Sequence, residues 1–574
     1  MSAPAEKVWQ PVLADEAAAR ALADATGQPL PVARLLWARG CRDAGAVDQF
    51  LNPRLSVLGD PFLLPDLRPA VERVWRAIDG GERIAVFGDY DVDGITSTAL
   101  LTQVLRKLGG IATPFLPHRL EEGYGLSPEA LQRCLESCNP ALIITVDCGT
   151  GSVEAVAEAT RRGVDVIVTD HHHPGALLAP ALALVNPKLS PDESIHMLAG
   201  VGVTFKLCHG LAKHGRELGR ASAALDLRPH LDLVALGTIA DIVPLAGENR
   251  ILARHGLNQL NQTTSEGLQA LIEVAAIEDR IDAYEVGFRL GPRLNAAGRL
   301  GDAQRALDLL LGGEGVDVDA LAKELDQSNR ERQEIEAATV RDALGELEAR
   351  FDPANDFGLV VGRLGWHPGV VGIVASRLLQ RFHRPVAVIA LSEEGGRGSC
   401  RSIEGFDMVA GLTACADELA KYGGHAMAAG LELKPGRLDA FATRFNETAR
   451  DLLAGRDLRP VQRIDAWLGL DEVDDALADS LDRMRPFGVG NATPVWGARG
   501  VRIVGAPRVV GKGHLKLVLA NGARQIEAMG WGMGERGVPD GPIDVAFQIK
   551  RDRFRGQERL VLHLQDFRPA ERET

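Results

Sequence analysis

The sequence predicts an α/β chain: a parallel sheet flanked by helices, a second α/β unit beyond a long helix, and a small β-barrel last. Three observations predict this. Short apolar runs alternate with helically spaced segments between residues 83 and 186. A charged helical run without proline, 316–350, separates them from a second strand–helix alternation. After about residue 461 the pattern changes to short strands broken by "NG", "DG" and "RG" turns.

The first 70 or so residues read as helical and irregular, with proline-marked turns such as "FLNPRLSVLGDPFLLPDL". "RIAVFG" (83–88) is a short buried-type strand, and "ITSTALLTQVLRKLGG" (95–110) has helical spacing ending on glycines. "ALIITV" (141–146) and "DVIVT" (165–169) are further strands around the helical "SVEAVAEATRRG", and "ALALVN" (181–186) is a fourth. This βαβα rhythm calls for a parallel sheet covered on both faces. The run 316–350 lacks a clean heptad, so it reads as a connector and not a coiled-coil arm. "FGLVVGRLGWHPGVVGIVASRLLQRF" opens the second α/β unit, and "VRIVGAPRVV", "HLKLVLA", "QIEAMGW", "DVAFQIKRD" and "RLVLHLQDF" form the final strand set. A small barrel such as the OB-fold fits it. The expected division is an N-terminal extension (1–75), a first α/β domain (76–315), the connecting helix (316–352), a second α/β domain (353–458) and the barrel domain (459–574).

Composition narrows the function classes. The 574 residues are 45% hydrophobic and 25% charged, an ordinary globular balance. Asp plus Glu exceed Lys plus Arg by 78 to 64, giving a net charge of −14. A duplex-coating protein would be basic, so any nucleic-acid contact here is confined to a channel. No apolar run approaches the roughly 20 residues of a membrane span. "MSAPAEKVWQPVLADE" has neither the basic start nor the apolar core of a secretory signal. The cysteines, 41, 134, 138, 148, 208, 400 and 415, form no C-x-x-C pair, which fits reduced thiols in a cytoplasm. Cys134 and Cys138 sit one helical turn apart and read as packing, not a zinc half-site.

The chemistry concentrates in "FGDYDVDG", which sets Asp89, Asp91 and Asp93 on alternate positions directly after the first strand. Carboxylates this close repel and desolvate one another unless a cation collects them. A helix-capping acidic turn is the plain alternative. In a parallel sheet, however, residues past the carboxyl ends of neighbouring strands share one edge, where ligands bind. Asp147, in "ITVDCGTG", ends the second strand; Asp170, His171 and His172, in "VIVTDHHHPG", end the third. Asp241 interrupts the apolar run "ALGTIADIVPL". Oxygen-rich ligation with a minority of imidazole suits two Mn²⁺ or Mg²⁺ ions better than zinc. No Ser-His-Asp set or G-x-S-x-G elbow suggests a covalent intermediate.

"GDYDVDG", "VDCGTG", "TDHHHPG" and "ADIVPL" resemble, in order and spacing, the four motifs of the DHH phosphoesterase superfamily. "GPRLNAAGRLG", "GWHPGVVGIVASRL", "SCRSIEGFD", "GGHAMAAG" and "PFGVGNATPVW" resemble those of its single-strand-specific DNA exonucleases, so that the likeness runs from about residue 80 to the C-terminus. It implies a DHH catalytic domain, a DHHA1-type second domain and an OB-like barrel. It implies a 5′→3′ exonuclease that cuts single-stranded DNA to 5′-mononucleotides in DNA repair and recombination.

By that resemblance Asp93, Asp147, His171 and Asp241 would hold one metal, and Asp91, the shared Asp147 and Asp89 the other. His172 would face the scissile phosphate as donor or proton source, and Asp170 would orient an imidazole. Arg293 and Arg299 would face the metals. Arg401 with Ser399, completed by Arg119, would hold the terminal 5′-phosphate, which suits arginine's planar fork. His425, in "GGHAMAAG", would lie near substrate phosphates, whereas His173 is expected in solvent. Lys512, His514, Lys516, Arg551, Arg553, Phe554 and Arg555 suit either single-strand binding or an exposed charged hairpin. A single-strand-binding protein and a DNA helicase are the implied partners, in the cytoplasm and away from membranes. The competing readings are another DHH phosphodiesterase acting on oligonucleotides and a catalytically dead DNA-binding scaffold of the same fold.

Overall fold

The computed structural model of the chain describes residues 6–13, 15–118, 122, 125–300, 302–554 and 557–570. The first α/β unit carries five strands, β1 (Arg83–Gly88), β2 (Ile111–Phe115), β3 (Leu142–Val146), β4 (Asp165–Thr169) and β5 (Ala183–Val185). They pair in parallel in the order β2-β1-β3-β4-β5. Every residue of β3 is buried, as are the last five of β1, the signature of strands covered on both faces. β2, "IATPF", is absent from the sequence expectation because Pro114 and alternate polar residues read as a loop. Proline is tolerated there because β2 is an edge strand.

Two helices matter most for the site. α1 (Val92–Lys107) starts three residues earlier than its apolar spacing suggested, because Asp91 caps it by accepting from Gly94 N at 3.1 Å. α2 (Gly200–Glu217) and the buried, mostly apolar α3 (Leu231–Ala240) pack beside it in one core. α4 (Gly291–Leu300) and the long α5 (Val318–Arg350) follow. α5 is tied to the first unit by Arg293–Asp326 at 2.8 Å and to the second by Arg381–Glu348 at 2.9 Å.

The second unit holds β6 (Leu359–Leu364), α6 (Val371–Phe382), β7 (Val386–Ser392), β8 (Gly395–Arg401), β9 (Leu419–His425) and β10 (Ala428–Leu433). Its sheet runs β9-β10-β8-β7-β6, parallel only between β6 and β7. The last strands, β11 (Trp496–Ile503), β12 (His514–Asn521), β13 (Arg524–Gly530), β14 (Ile543–Phe554) and β15 (Gln557–Pro569), pair in the ring β11-β14-β15-β13-β12. The pairing of Arg502 with Ala520 closes that ring into a barrel.

The N-terminal segment is not a free extension. Its strand Val8–Pro11 pairs in parallel with Val461–Ile464, and Trp9 Nε1 donates to Asp566 at 2.6 Å. Leu22, Val32, Leu35 and Leu36 share one core with Trp496, Leu517 and Phe547 of the barrel. Arg250, 3% exposed, joins this assembly to the first unit by donating to the carbonyls of Phe50 and Met484, each at 2.9 Å. Among the described residues no helix is long and apolar enough to cross a membrane.

Candidate active site

Six of the expected ligands come together past the carboxyl ends of β1, β3 and β4 and at the end of α3. His171 Nε2 lies 3.1 Å from Asp147, 3.6 Å from Asp241 and 3.9 Å from Asp93. Three ligand sets form, each within 4.8 Å: Asp93, His171, Asp241; Asp89, Asp91, Asp147; and Asp147, His171, His172. Asp147 is common to two of them.

Local structure explains each position. Asp147 sits at φ 63°, a left-handed backbone rare for a residue with a side chain, while its amide still bonds Thr169 O at 2.9 Å. Asp93 lies in the first turn of α1, where its carboxylate accepts from Gly200 N (2.7 Å) and Val201 N (2.8 Å) at the start of α2. A Cβ on Gly200 would meet Asp147 at 2.5 Å, so only glycine lets α2 approach the acids. Asp241 caps the C-terminus of α3. Asp91 is therefore both a helix cap and a member of the cluster.

The electrostatics of the cluster are those of a cation site. Burial, then Asp91, pushes Asp93 up to about 7; burial, then Asp93 and Asp91, pushes Asp241 up to about 9. Asp147 is driven well up by burial and its neighbouring carboxylates. Burial holds His171 down at about 3, so its imidazole is neutral, and among the described residues its buried Nε2 has no hydrogen-bond partner. Acids kept protonated by burial and then by mutual repulsion, facing a neutral imidazole, are a donor set that divalent cations would stabilise. Burial opposes the charge on His172, but the hydrogen bond to Asp170 (Nδ1 to Oδ1, 2.8 Å) together with the charges of Asp170, Asp89 and Asp91 outweighs it and raises the group. Asp170 also accepts from the amides of Thr150, His171 and His172, which with His172 overcome burial and hold it far below the usual carboxylate range.

α4 links this cluster to a second site. Asn295 Oδ1 accepts from Val92 N at 3.2 Å, and four residues on Arg299 Nη1 donates to Gly369 O at 3.1 Å. Gly369 belongs to a cleft of about 440 Å³ whose walls include Arg299, Gly372, Arg397, Ser399 and Arg401. The start of α6 lines it without a side-chain cap, leaving backbone amides for an anion. Arg401 Nη1 donates to Ser399 Oγ at 3.0 Å and Cys400 O at 2.8 Å.

Comparisons with known proteins decide the family. Residues 83–238 match the DHH family N-terminal domain, 356–451 the DHHA1 domain and 464–566 the RecJ OB domain. The chain is 39% identical over 565 residues to the single-stranded-DNA-specific exonuclease RecJ of Dickeya dadantii, covering 94% of this chain and 96% of that one. The chain belongs to the RecJ family. The RecJ of Bacillus subtilis is 38% identical over 93% of this chain and 67% of its own. The crystal structure of RecJ from Thermus thermophilus in complex with Mn²⁺ superposes with a TM-score of 0.84 at 33% identity, covering 98% of this chain and 80% of that one.

Not every residue assigned to the RecJ site from sequence lies where it was expected. Arg119 falls outside the described residues. Arg293 was expected to face the metals; instead Nε donates to Asp326 at 2.9 Å and Nη1 to Arg289 O at 2.6 Å, so it clamps α5. His173 is exposed, but its ring meets that of His425 at 5.8 Å, placing both where the two α/β units of the RecJ core face each other. In the barrel, Lys516 pairs with Glu527 at 2.7 Å and Arg551 with Glu558 at 2.9 Å, as in a charged hairpin. Arg553 and Phe554 have no described side chains, and Arg555 lies outside the described residues.

Sequence reasoning missed three features. Lys188 Nζ bonds His171 O beside Asp170 and Asp241; only its place after a strand hinted at this. Arg397, on alternate register from Ser399 and Arg401, lines the cleft. A groove of about 990 Å³ runs from Ile242, next to Asp241, past Tyr284, Phe288 and Phe487 to Trp531 and Lys550 on the barrel. Tyr284 and Phe288 stack at 4.9 Å and are 63% and 70% exposed; Trp531 is 55% exposed.

Proposed function

We propose that the chain is a metal-dependent 5′→3′ exonuclease that hydrolyses single-stranded DNA to 5′-mononucleotides, serving DNA repair and recombination. The observation that carries this reading is the meeting of Asp89, Asp91, Asp93, Asp147, His171 and Asp241 at one sheet edge, each within 4.8 Å of its set. The names of the RecJ relatives and the Mn²⁺ complex of the Thermus thermophilus protein support it. Two Mn²⁺ or Mg²⁺ ions bound there would supply a hydroxide at neutral pH and neutralise phosphate charge.

The chain's own groups do the rest. Asp93, Asp147, His171 and Asp241 form one ligand set, and Asp89, Asp91 and Asp147 the other. His172, its Nδ1 proton engaged by Asp170, turns Nε2 to the scissile phosphate and donates to a non-bridging oxygen. Water adds to that phosphorus, the bond to the 3′ oxygen of the terminal nucleotide breaks, and this oxygen leaves as a hydroxyl. Ser399, Arg401, Arg299 and the α6 amides grip the 5′-phosphate, and His425, its ring against that of His173, lies near the substrate phosphates. α4 joins this grip to the acids, with Asn295 bonded beside them and Arg299 bonded to the cleft. A grip that ends the strand at its 5′-phosphate makes the enzyme an exonuclease.

Downstream, bases stack on Tyr284, Phe288 and Trp531 while Lys550 meets backbone charge, a sequence-tolerant way to hold an unpaired strand. The domains are those the strand pattern outlines, with residues 8–51 serving the barrel. An enzyme that needs unpaired ends takes them from an unwinding helicase and meets single-strand-binding protein there; seven free cysteines fit a reducing cytoplasm.

The test compares Mn²⁺-dependent hydrolysis of 5′-labelled single strands, duplex, dinucleotides and pyrophosphate. Release of labelled mononucleotide from single strands alone is expected. Preference for dinucleotide or pyrophosphate would replace this reading with another DHH phosphodiesterase, and inertness on all four would leave a DNA-binding scaffold.

A further inference from the structure

The turn after β5, "NPK", carries a buried amide with no role in the ligand sets. Asn186 is fully buried. Its Oδ1 accepts from Lys188 N at 2.9 Å, which fixes which way the amide faces. Its Nδ2 then donates to His172 O at 2.9 Å and to Thr150 Oγ1 at 3.0 Å. An amide nitrogen can only donate, so the Thr150 hydroxyl must accept there and turn its own proton elsewhere. Asp170, which accepts from Thr150 N at 2.9 Å, is the neighbouring carboxylate toward which that proton turns. Asp170 in turn accepts from His172 Nδ1.

Asn186 orients the Thr150 hydroxyl, and the ionised Asp170 can only accept, so the donors of this network converge on Asp170. We propose that Asn186 is a positioning residue: by holding the Thr150 turn and the His172 carbonyl it keeps Asp170 and His172 in register, so that the carboxylate engages Nδ1 and Nε2 is aimed at the substrate. The same amide holds the His172 carbonyl, so ring and backbone are fixed from one point. Three strand ends are joined in this way, Thr150 after β3, His172 after β4 and Asn186 after β5. The inference rests on the role given to His172 above.

Asn186→Asp keeps the volume and an acceptor for Lys188 N but removes both donors. Thr150→Val removes the hydroxyl, and Thr150→Ser restores it. Each loss variant should lower kcat roughly 10–100-fold, as indirect supports of site groups do. KM for a single strand, Mn²⁺ affinity by calorimetry and the melting temperature should stay near wild type, and Thr150→Ser should recover most of the rate. The deciding measurement is a cycle with His172→Ala. Asn186→Asp should cost nothing further in that background, because a residue acting through His172 has nothing left to act on. The same fold-loss with and without His172 would overturn the proposal, as would a Thr150→Ser variant as slow as Thr150→Val. If His172→Ala alone keeps full kcat, the failure lies in the role of His172 itself. Should Asn186→Asp not fold, the Thr150 pair in the same cycle decides the matter.

Discussion

Replacing Arg401 by alanine tests the geometry of the phosphate cleft quantitatively. The guanidinium ends β8 and is largely out of water, and burial pulls it below its usual value. Among the described residues its hydrogen-bond partners are Ser399 Oγ and Cys400 O, and no carboxylate pairs with it. A half-buried cation without a paired anion has lost solvation that an arriving anion can replace. Its Nη2 lies beside Gly372 in the first turn of α6, where backbone amides point the same way. A 5′-phosphate between them would gain a charge-assisted bond of about 1.5–3 kcal/mol from the arginine. At 1.36 kcal/mol per decade that is roughly a 10–150-fold loss in kcat/KM for Arg401→Ala on 5′-phosphorylated strands. Strands ending in a 5′-hydroxyl offer the guanidinium nothing and should lose less than about 3-fold. Steady-state release of mononucleotide from paired substrates differing only at the 5′ end gives the ratio directly. Equal losses on the two substrates would show that Arg401 does not read the terminal phosphate.

Other outcomes follow from the same structure. Asp93→Asn should cut Mn²⁺-dependent hydrolysis on the order of 10³-fold, about 4 kcal/mol, with the far-ultraviolet spectrum unchanged; residual turnover near wild type would remove Asp93 from the ligand set. In chelator, folding holds protons on Asp93 (about 7) and Asp241 (about 9) that the unfolded chain releases near pH 4. Their contribution to stability is complete below pH 4 and lost as pH rises through 7 and 9. The melting temperature of the metal-free protein should therefore fall between pH 6 and 9, and a rise over that range would contradict the clustering. Leu36→Ala, fully buried under the barrel, should lower stability by about 2–5 kcal/mol in a urea titration; no change would mean the N-terminal helices are not part of that core. Trp531→Ala should weaken single-strand binding by about 1–3 kcal/mol in fluorescence anisotropy, and unchanged affinity would move the strand's path elsewhere.

The acidic site was legible because its logic is topological. Strand tips in a parallel sheet share one edge, so Asp89, Asp147 and His171 could be placed together without knowing any distance. Asp241 was legible as a charge in an apolar run. Arg293 shows the limit: a sequence reveals a cation but not the Asp326 that claims it from a helix 33 residues on. Lys516 and Arg551 repeat the lesson, each bound by acids on neighbouring elements. Asn186 and Thr150 left no mark because polar residues in turns are common, and what sets them apart is burial. β2 stayed hidden behind Pro114. The pairing of Val8–Pro11 with Val461–Ile464 lies beyond any local pattern, since short strands carry no label for distant partners.

That distant pairing has a consequence for biogenesis. During translation the helices around Leu22 and Leu36 leave the ribosome long before the strands that cover them. Their apolar faces must wait, uncovered or shielded by a chaperone, while both α/β units take shape. Maturation of the barrel is then the event that seals the chain's two extremities together, and an interrupted synthesis would release a nuclease core trailing a sticky, unfinished end.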